Sequence, residues 1–320
     1  MKVSDIKKVA CVGGGVIGSS WAIQYAMRGL SVALYDINDE QLLKSRGQME
    51  KSLDALVGHD AITQTQKAEI VARVHPTTSM EEAVSDAQFI QESGPERLEI
   101  KRSILAQVEQ YAASDALYAS STSGLLISEI VAEAAHPERC VGAHPYNPPH
   151  LIPLVEITRG EKSSDEVVKT VYDFYQSIGK EAVLLRKECP GFIANRLQLA
   201  LYREVQDLVM RGVCSVEDAD KALVYGPGLR WAIFGHNMIM QLGNPGGLTG
   251  MVNMLGNSGD RWLADMASWT HQPDNWAEVA QPGVDEEMKH FPDHIGHTNE
   301  ACAAYRDQML IELLKLHKKL

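Results

Sequence analysis

A glycine-rich turn between a short strand and a helix constrains the fold of this chain more than any other feature. Residues 8–13 (KVACVG) form a short β-branched run that stops at glycines, which is typical of a buried strand. Small and apolar residues follow at helical spacing over residues 16–28, and residues 31–36 (SVALYD) predict a second strand. A strand, a Gly-x-Gly-x-x-Gly turn, a helix and a strand that ends in an acid indicate one half of a doubly wound sheet.

The same turn predicts a binding site for a dinucleotide. Glycines let the backbone approach a pyrophosphate, and the N-terminus of the following helix supplies positive potential. The carboxylate of Asp36 can accept hydrogen bonds from a ribose diol and would repel a 2′-phosphate. Because Ile37 and Asn38 follow it, rather than an arginine, NAD is favoured over NADP. The alternative is an ordinary tight turn followed by a solvated aspartate. The predicted cofactor-binding residues of this segment are Gly13, Gly15, Val16, Ile17, Gly18 and Asp36.

Strand-like and helical segments alternate as far as residue 189, and strand patterns then disappear. The predicted fold is therefore α/β, with an N-terminal Rossmann-like, doubly wound, mainly parallel sheet and an all-α C-terminal domain. We expect an NAD-binding domain over residues 1–189 and a helical domain over residues 190–320. Residues 38–74 predict a helical pair, whereas residues 270–297, rich in Pro, Asp and His, predict a long irregular segment.

Composition narrows the class of protein further. The formal net charge of −12 disfavours nucleic acid and anionic lipid as partners. The five cysteines show no metal-ligand spacing and indicate free thiols in a reducing compartment. A strand starts too near the N-terminus for a signal peptide, and no apolar run approaches a membrane span. We therefore expect a soluble, cytoplasmic protein.

Three polar residues mark a candidate active site. Ser123 and His144 each follow a predicted strand, at the edge where ligands bind to open α/β sheets. Glu156 lies in the apolar run LVEI, and a carboxylate buried there needs a partner such as an imidazole. A neutral histidine backed by a carboxylate suits alcohol oxidation, because it can take the hydroxyl proton as hydride leaves the same carbon. The alternatives are a structural histidine and a Ser-His-Glu hydrolase, but Ser123 lacks the G-x-S-x-G elbow of such hydrolases.

Several segments together resemble the 3-hydroxyacyl-CoA dehydrogenase family. They are most similar to its branch acting on free acids, which comprises L-gulonate 3-dehydrogenases (also found as lambda-crystallin) and L-carnitine dehydrogenases. The segments are GGGVIGSSWAIQYA, ALYDI, IQESGPERLEIKRSILAQ, SSTSGL, AHPYNPPHLIPLVEI, PGFIANRLQ and GPGLRWA. The resemblance spans about residues 8–234 and fades after Met238.

The resemblance implies roles for particular residues. His144 would be the catalytic base and Glu156 its partner, while Ser123 and Asn195 would bind the substrate oxygen as it becomes a carbonyl. Glu96 and Lys101 would lie beside the cofactor, although their alternative is a solvated helix face. The resemblance also implies a homodimer whose helical domain binds substrate and forms the dimer contact.

The substrate stays open between a free 3-hydroxy acid and a 3-hydroxyacyl-CoA ester. Two motifs, Ser121-Thr122-Ser123-Gly124 and GLRWAIFG, depart from the acyl-CoA pattern and favour a free acid. Arg230 would then bind the substrate carboxylate, or else pair with a surface acid. A third possibility is a non-catalytic, crystallin-like structural protein, which the complete set of site residues disfavours.

Two further features of the helical domain are weaker. Trp231, Trp262, Trp269 and Trp276 offer aromatics for a quaternary ammonium cage, although tryptophans in a helical domain more often form a core or an interface. His290, His294 and His297 could suggest a metal, but Pro292 and Gly296 break any helical register between them. We therefore predict no metal site.

Overall fold

The computed structural model describes all residues from Met1 to Leu320. The chain divides into two compact units, one comprising Met1–Asn195 and Arg306–Leu320, the other Arg196–Tyr305. The sequence predicts one boundary, at residue 190. In the structure the first unit extends to Asn195 and also includes the C-terminal segment, where Ile311 and Leu314 are buried.

A single eight-stranded sheet forms the centre of the first unit, in the order β3-β2-β1-β4-β5-β6-β7-β8. All neighbouring strands are parallel except β6 and β7, which are antiparallel. The strands are β1 (Lys8–Val12), β2 (Ser31–Tyr35), β3 (Val74–Thr77), β4 (Phe89–Glu92), β5 (Leu117–Ser120), β6 (Cys140–Pro145), β7 (Leu154–Arg159) and β8 (Glu181–Leu185). The predicted doubly wound, mainly parallel sheet is confirmed.

Helices cover both faces of this sheet. They are α1 (Val16–Met27), α2 (Asp39–Gly58), α3 (Gln64–Ala72), α4 (Met80–Val84), α5 (Leu98–Tyr111), α6 (Ile127–Ile130) and α7 (Asp165–Ser177). Side chains alternate along each strand, so Val9 and Cys11 join one apolar cluster while Ala10 and Val12 join another. Burial on both faces is typical of parallel sheets and explains the continuous apolar runs in the sequence.

The second unit is helical, as predicted. Its helices are α8 (Ala194–Met210), α9 (Val216–Leu223), α10 (Leu229–Trp231), α11 (His236–Leu242), α12 (Gly247–Asp265), α13 (Trp276–His290) and α14 (Asn299–Leu316), of which α8 begins, and α14 ends, in the first unit. A π-helical stretch, Val224–Gly228, precedes α10, and α12 is interrupted at Gly256. No helix of the protein combines the length and the apolar character needed to cross a membrane.

One predicted irregular segment is largely helical in the structure. Residues 270–297 contain α13, which continues through Pro282 and Gly283. A Cβ atom at position 283 would lie 2.7 Å from a Val216 methyl group, so glycine lets α9 and α13 pack closely. The helix is therefore specified by packing that local sequence does not show.

Candidate active site

The glycine turn after β1 leaves space for a ligand at the start of α1. Gly13 has φ +100°, and a Cβ atom there would lie 2.8 Å from the carbonyl oxygen of Ser93. A Cβ at Gly18 would collide with the carbonyl of Gly13, whereas a Cβ at Gly15 would meet nothing within 4 Å. Gly15 is the N-cap of α1 and supplies no side chain to bind its first N–H groups. The turn therefore fits a pyrophosphate held by backbone N–H groups.

Asp36 lies directly after β2, beside this turn. One carboxylate oxygen accepts a hydrogen bond of 2.7 Å from the backbone N–H of Gly14, and the other accepts one of 2.7 Å from Ile37. These bonds fix the carboxylate at the turn while leaving it half-buried. A carboxylate in this position can accept the hydroxyl groups of a ribose, so the residues present fit NAD.

His144 and Glu156 form a buried pair on β6 and β7. The antiparallel register sets them directly opposite each other, so their side chains share one face of the sheet. The Nδ1 atom of His144 lies 2.9 Å from Oε2 of Glu156, and the two side chains are 6% and 1% exposed. An ionised carboxylate only accepts hydrogen bonds, so Nδ1 carries a proton, and in the neutral form of this ring Nε2 has the lone pair.

The second oxygen of Glu156 accepts two backbone hydrogen bonds at the start of α8. The N–H groups of Ile193 and Ala194 lie 2.8 and 2.9 Å from Oε1. Burial acts to raise the pKa of Glu156, but the hydrogen bonds from His144, Ala194 and Ile193 outweigh it and hold this pKa below its ordinary value. Glu156 therefore stays ionised and keeps the imidazole oriented.

Ser123, in the loop after β5, contacts Asn195 in the first turn of α8. The side-chain amide of Asn195 donates a hydrogen bond of 3.3 Å to the carbonyl of Ser123. Oε1 of Glu96 accepts hydrogen bonds from the Thr122 hydroxyl at 2.7 Å and from the N–H groups of Ser123 and Gly124 at 2.8 and 2.9 Å. Burial acts to raise the pKa of Glu96, but these bonds and the charge of Lys101 lower it overall.

Lys101 lies beneath this loop and is 1% exposed. Its ammonium group is 2.9 Å from Glu92 and 3.4 Å from Glu96, so it links the loop to the end of β4. Glu92 is not among the residues predicted from the sequence, and it also accepts a hydrogen bond of 2.5 Å from the Ser120 hydroxyl. An acid in the buried strand FIQE is the signal that could have identified it.

The remaining candidates lie in the second unit. Arg230 is exposed on α10, with no salt bridge in the structure. The Trp231 ring contacts His236 and the Trp276 ring contacts Tyr202, but no two of the four candidate tryptophans contact each other. His290 lies 2.9 Å from Glu217, and His297 lies 3.0 Å from the carbonyl of Met288. The four tryptophans therefore do not form a cage within the second unit.

Fold and site together define a dinucleotide-dependent dehydrogenase. A glycine turn with an acid after the second strand fits a dinucleotide, and a histidine–carboxylate pair lies at the edge of the sheet where ligands of such folds bind.

The chain belongs to the 3-hydroxyacyl-CoA dehydrogenase family. The family's NAD-binding domain matches residues 8–189, and its C-terminal domain matches residues 191–279. The predicted family, fold class and NAD cofactor are thus confirmed. The protein is an NAD-dependent oxidoreductase that acts on a CH–OH group.

The chain is similar to three proteins whose named activities differ. An L-carnitine dehydrogenase of Streptomyces griseus is 41% identical over 257 residues, covering 80% of this chain and 74% of the relative. A 3-hydroxyacyl-CoA dehydrogenase of Gibberella moniliformis is 37% identical over 324 residues, covering 99% and 96%. The crystal structure of 5-formyl-3-hydroxy-2-methylpyridine 4-carboxylic acid 5-dehydrogenase, an NAD+-dependent dismutase, has a TM-score of 0.77 at 28% identity and covers 98% of both chains.

Proposed function

We propose that this protein oxidises the 3-hydroxyl group of a small free 3-hydroxy acid, with L-carnitine as the first candidate substrate and an L-gulonate-like acid as the second. The observation that carries the chemistry is the 2.9 Å contact between His144 and Glu156 in a buried pair. The similarity to L-carnitine dehydrogenases supports the first candidate substrate.

In this proposal His144 is the catalytic base. The Nδ1–H group of His144 stays hydrogen-bonded to Glu156, while Nε2 takes the proton of the substrate hydroxyl. Glu156 holds the ring in that tautomer and stabilises the imidazolium that forms. When bound, NAD would accept the hydride that leaves the carbon bearing this hydroxyl group. General base catalysis of this kind contributes about 10²–10⁴-fold in rate.

Ser123 and Asn195 act on the substrate oxygen in the same proposal. The hydroxyl of Ser123 and the amide of Asn195 donate hydrogen bonds to the oxygen as it gains carbonyl character. The hydrogen bond between Asn195 and the Ser123 carbonyl supports a common site for the two. Glu96 and Lys101 act on the cofactor side of the site, Glu96 by ordering the loop that carries Ser123 and Lys101 by holding Glu96 in place.

Arg230 binds the carboxylate of the substrate in this proposal. A guanidinium recognises a carboxylate through two parallel hydrogen bonds, and Arg230 has no acidic partner within the chain. The residue would anchor the acid at the end away from the reacting hydroxyl.

The test measures NADH formation with L-carnitine, L-gulonate, L-3-hydroxybutyrate and 3-hydroxybutyryl-CoA. We expect turnover of a free acid, a fall in kcat of about 10²–10⁴-fold in His144→Gln, and a raised KM for the acid in Arg230→Ala. Arg261→Ala is the matched control, because Arg261 is another exposed arginine of the second unit. Full activity in His144→Gln would overturn the assignment of the base.

A 3-hydroxyacyl-CoA ester is the second candidate substrate, favoured by the similarity to the Gibberella enzyme. Turnover with the CoA ester alone, unchanged by Arg230→Ala, would establish it. NAD binding without turnover of any compound in the panel would instead favour a structural, crystallin-like role.

We also propose a cytoplasmic homodimer. All five cysteines are free, which suits a reducing compartment. Within the second unit only Gln206, Ala267 and Ala280 are buried, while Tyr225, Ile233, Met254, Trp262 and Leu263 are more than 60% exposed. Apolar surface on this scale marks an interface, and a second copy of the chain is the partner we propose for it.

A further inference from the structure

Phe192 has a backbone conformation that side chains of its size rarely adopt. Its φ is +51°, in the left-handed region, and it follows Gly191 with φ +74°. The N–H of Phe192 donates to the carbonyl of Cys189 at 3.0 Å, which closes a turn with Pro190 and Gly191 at its centre. Glycine is the residue expected at such a position, so a bulky residue there indicates strain that something else compensates.

Packing into the apolar core does not compensate for the strained backbone of Phe192. Phe192 is 1% exposed, yet it belongs to neither of the two apolar clusters that cover the faces of the sheet. Its ring lies instead against His144, with 5.2 Å between ring centroids and an angle of 41° between the planes. Tyr146 makes a second ring contact with His144, at 6.0 Å and 77°.

The backbone that follows Phe192 binds the carboxylate partner of the same histidine. The next two N–H groups, of Ile193 and Ala194, are those that donate to Oε1 of Glu156. The left-handed conformation at Phe192 turns the chain out of the Pro190–Gly191 turn and into α8, so that both N–H groups point at the carboxylate. One residue thus contacts His144 through its ring and sets the donors to Glu156 through its backbone.

We propose that Phe192 is a positioning residue for the catalytic pair, holding the His144 ring against Glu156 and directing the start of α8 onto that carboxylate. This inference rests on the proposed roles of His144 and Glu156. Phe192 does not touch reacting atoms and acts through these two residues. Its loss is expected to lower kcat with little change in NADH binding, because a small displacement of a catalytic group is costly for the chemical step.

The test separates the ring from the backbone. Phe192→Gly keeps the left-handed conformation without strain and removes the ring, and we expect kcat to fall about 10²-fold. Phe192→Leu keeps apolar bulk beside His144 and is expected to recover most of that loss. Asp60→Gly relaxes another non-glycine residue with positive φ, at an exposed turn, and Phe174→Leu removes a buried ring from the core; both should keep wild-type kcat.

A double-mutant cycle with Glu156→Gln decides whether Phe192 acts through the pair. If it does, the double variant Phe192→Gly/Glu156→Gln loses no more kcat than the worse single variant. Losses that multiply, or a Phe192→Gly variant with wild-type kcat, overturn the inference while the proposed function stands. A Glu156→Gln variant with wild-type kcat overturns the proposed pair and this inference with it. If Phe192→Gly does not bind NADH, Phe192→Ala enters the same cycle.

Discussion

The two units of the molecule bury their apolar residues in different ways. In the first unit, strand residues such as Val9 and Ala10 are fully buried by helices on both faces of the sheet. In the second unit, helices of comparable length leave side chains such as Trp262 and Leu263 largely exposed. The first unit therefore contains a buried core and most of the proposed site, whereas the second leaves apolar faces exposed, as the proposed homodimer requires.

This difference predicts where substitutions will be most costly. When a buried group of the first unit loses its hydrogen-bond or charge partner, no water can replace that partner. Water can replace the lost partner of an exposed group in the second unit. Substitutions of buried groups in the first unit should therefore change the free energy of unfolding more than substitutions of exposed groups in the second.

The largest effect is expected from Lys101→Met. This substitution leaves the carboxylate of Glu92, which is 0% exposed, without its ammonium partner. We expect the free energy of unfolding, measured by urea titration, to fall by about 3–5 kcal/mol. The double variant Lys101→Met/Glu92→Gln removes the buried charge as well and should regain much of that loss. If Lys101→Met is as stable as the wild type, the buried interior of the first unit does not depend on this charge pair.

The next effect concerns pH and compares a histidine from each unit. Burial and, to a lesser degree, the Lys180 charge lower the pKa of His150 to about 4. The unfolded chain takes up this proton near the ordinary histidine pKa of about 6.5, so it binds more protons between the two values. Stability is therefore lost as pH falls from about 6.5 to 4, by about 3 kcal/mol over that range. We expect His150→Gln, measured by urea titration at several pH values, to flatten this dependence.

His297 of the second unit is the matched control for that measurement. A hydrogen bond with the Met288 carbonyl, aided by Asp293, raises the pKa of this exposed histidine. The contribution of His297 to the free energy of unfolding therefore has the opposite pH dependence: it is present at low pH and is lost as pH rises through the raised pKa. Solvent screens it, so His297→Gln should leave the pH dependence of unfolding unchanged. Equal effects from the two variants would remove the distinction between the units.

A smaller effect is expected from the exposed apolar face of the second unit. Trp262 is 61% exposed, and Trp262→Ser should weaken the proposed homodimer by about 1–2 kcal/mol, or roughly tenfold in its dissociation constant. Sedimentation over a range of concentrations measures this constant. Leu43→Ser is the control, since Leu43 is 71% exposed but lies on α2 of the first unit. A wild-type protein that stays at 35.2 kDa at every concentration would rule the dimer out.

The same contrast explains which features the sequence predicted. The alternation of strands and helices and the glycine turn follow from local sequence patterns. The pairing of His144 with Glu156 follows from the need of a buried carboxylate for a partner. The structure shows all three features. The sequence does not predict β3, because His75 and Pro76 give no strand pattern. β3 is the edge strand next to β2, and an edge strand tolerates a proline.

Other features depend on contacts between distant parts of the chain. The C-terminal segment belongs to the first unit because Lys315 donates to the carbonyl of His59 and Lys319 pairs with Glu181. The strained backbone at Phe192 likewise follows from its surroundings, since nothing in the letters PGF distinguishes it from an ordinary turn. Such features need the fold before they can be recognised.

The smallest effect uses the same substitution in both units. Ser164 caps α7 by accepting the N–H of Val167 at 3.2 Å, and Ser215 caps α9 by accepting that of Asp218 at 3.0 Å. Replacing either by alanine should cost about 1 kcal/mol. If the second unit unfolds separately, Ser215→Ala will lower only an early transition in calorimetry, while Ser164→Ala lowers the main one. A single transition shifted equally by both variants would instead mean that the two units unfold as one cooperative structure, despite the difference in how they bury their apolar residues.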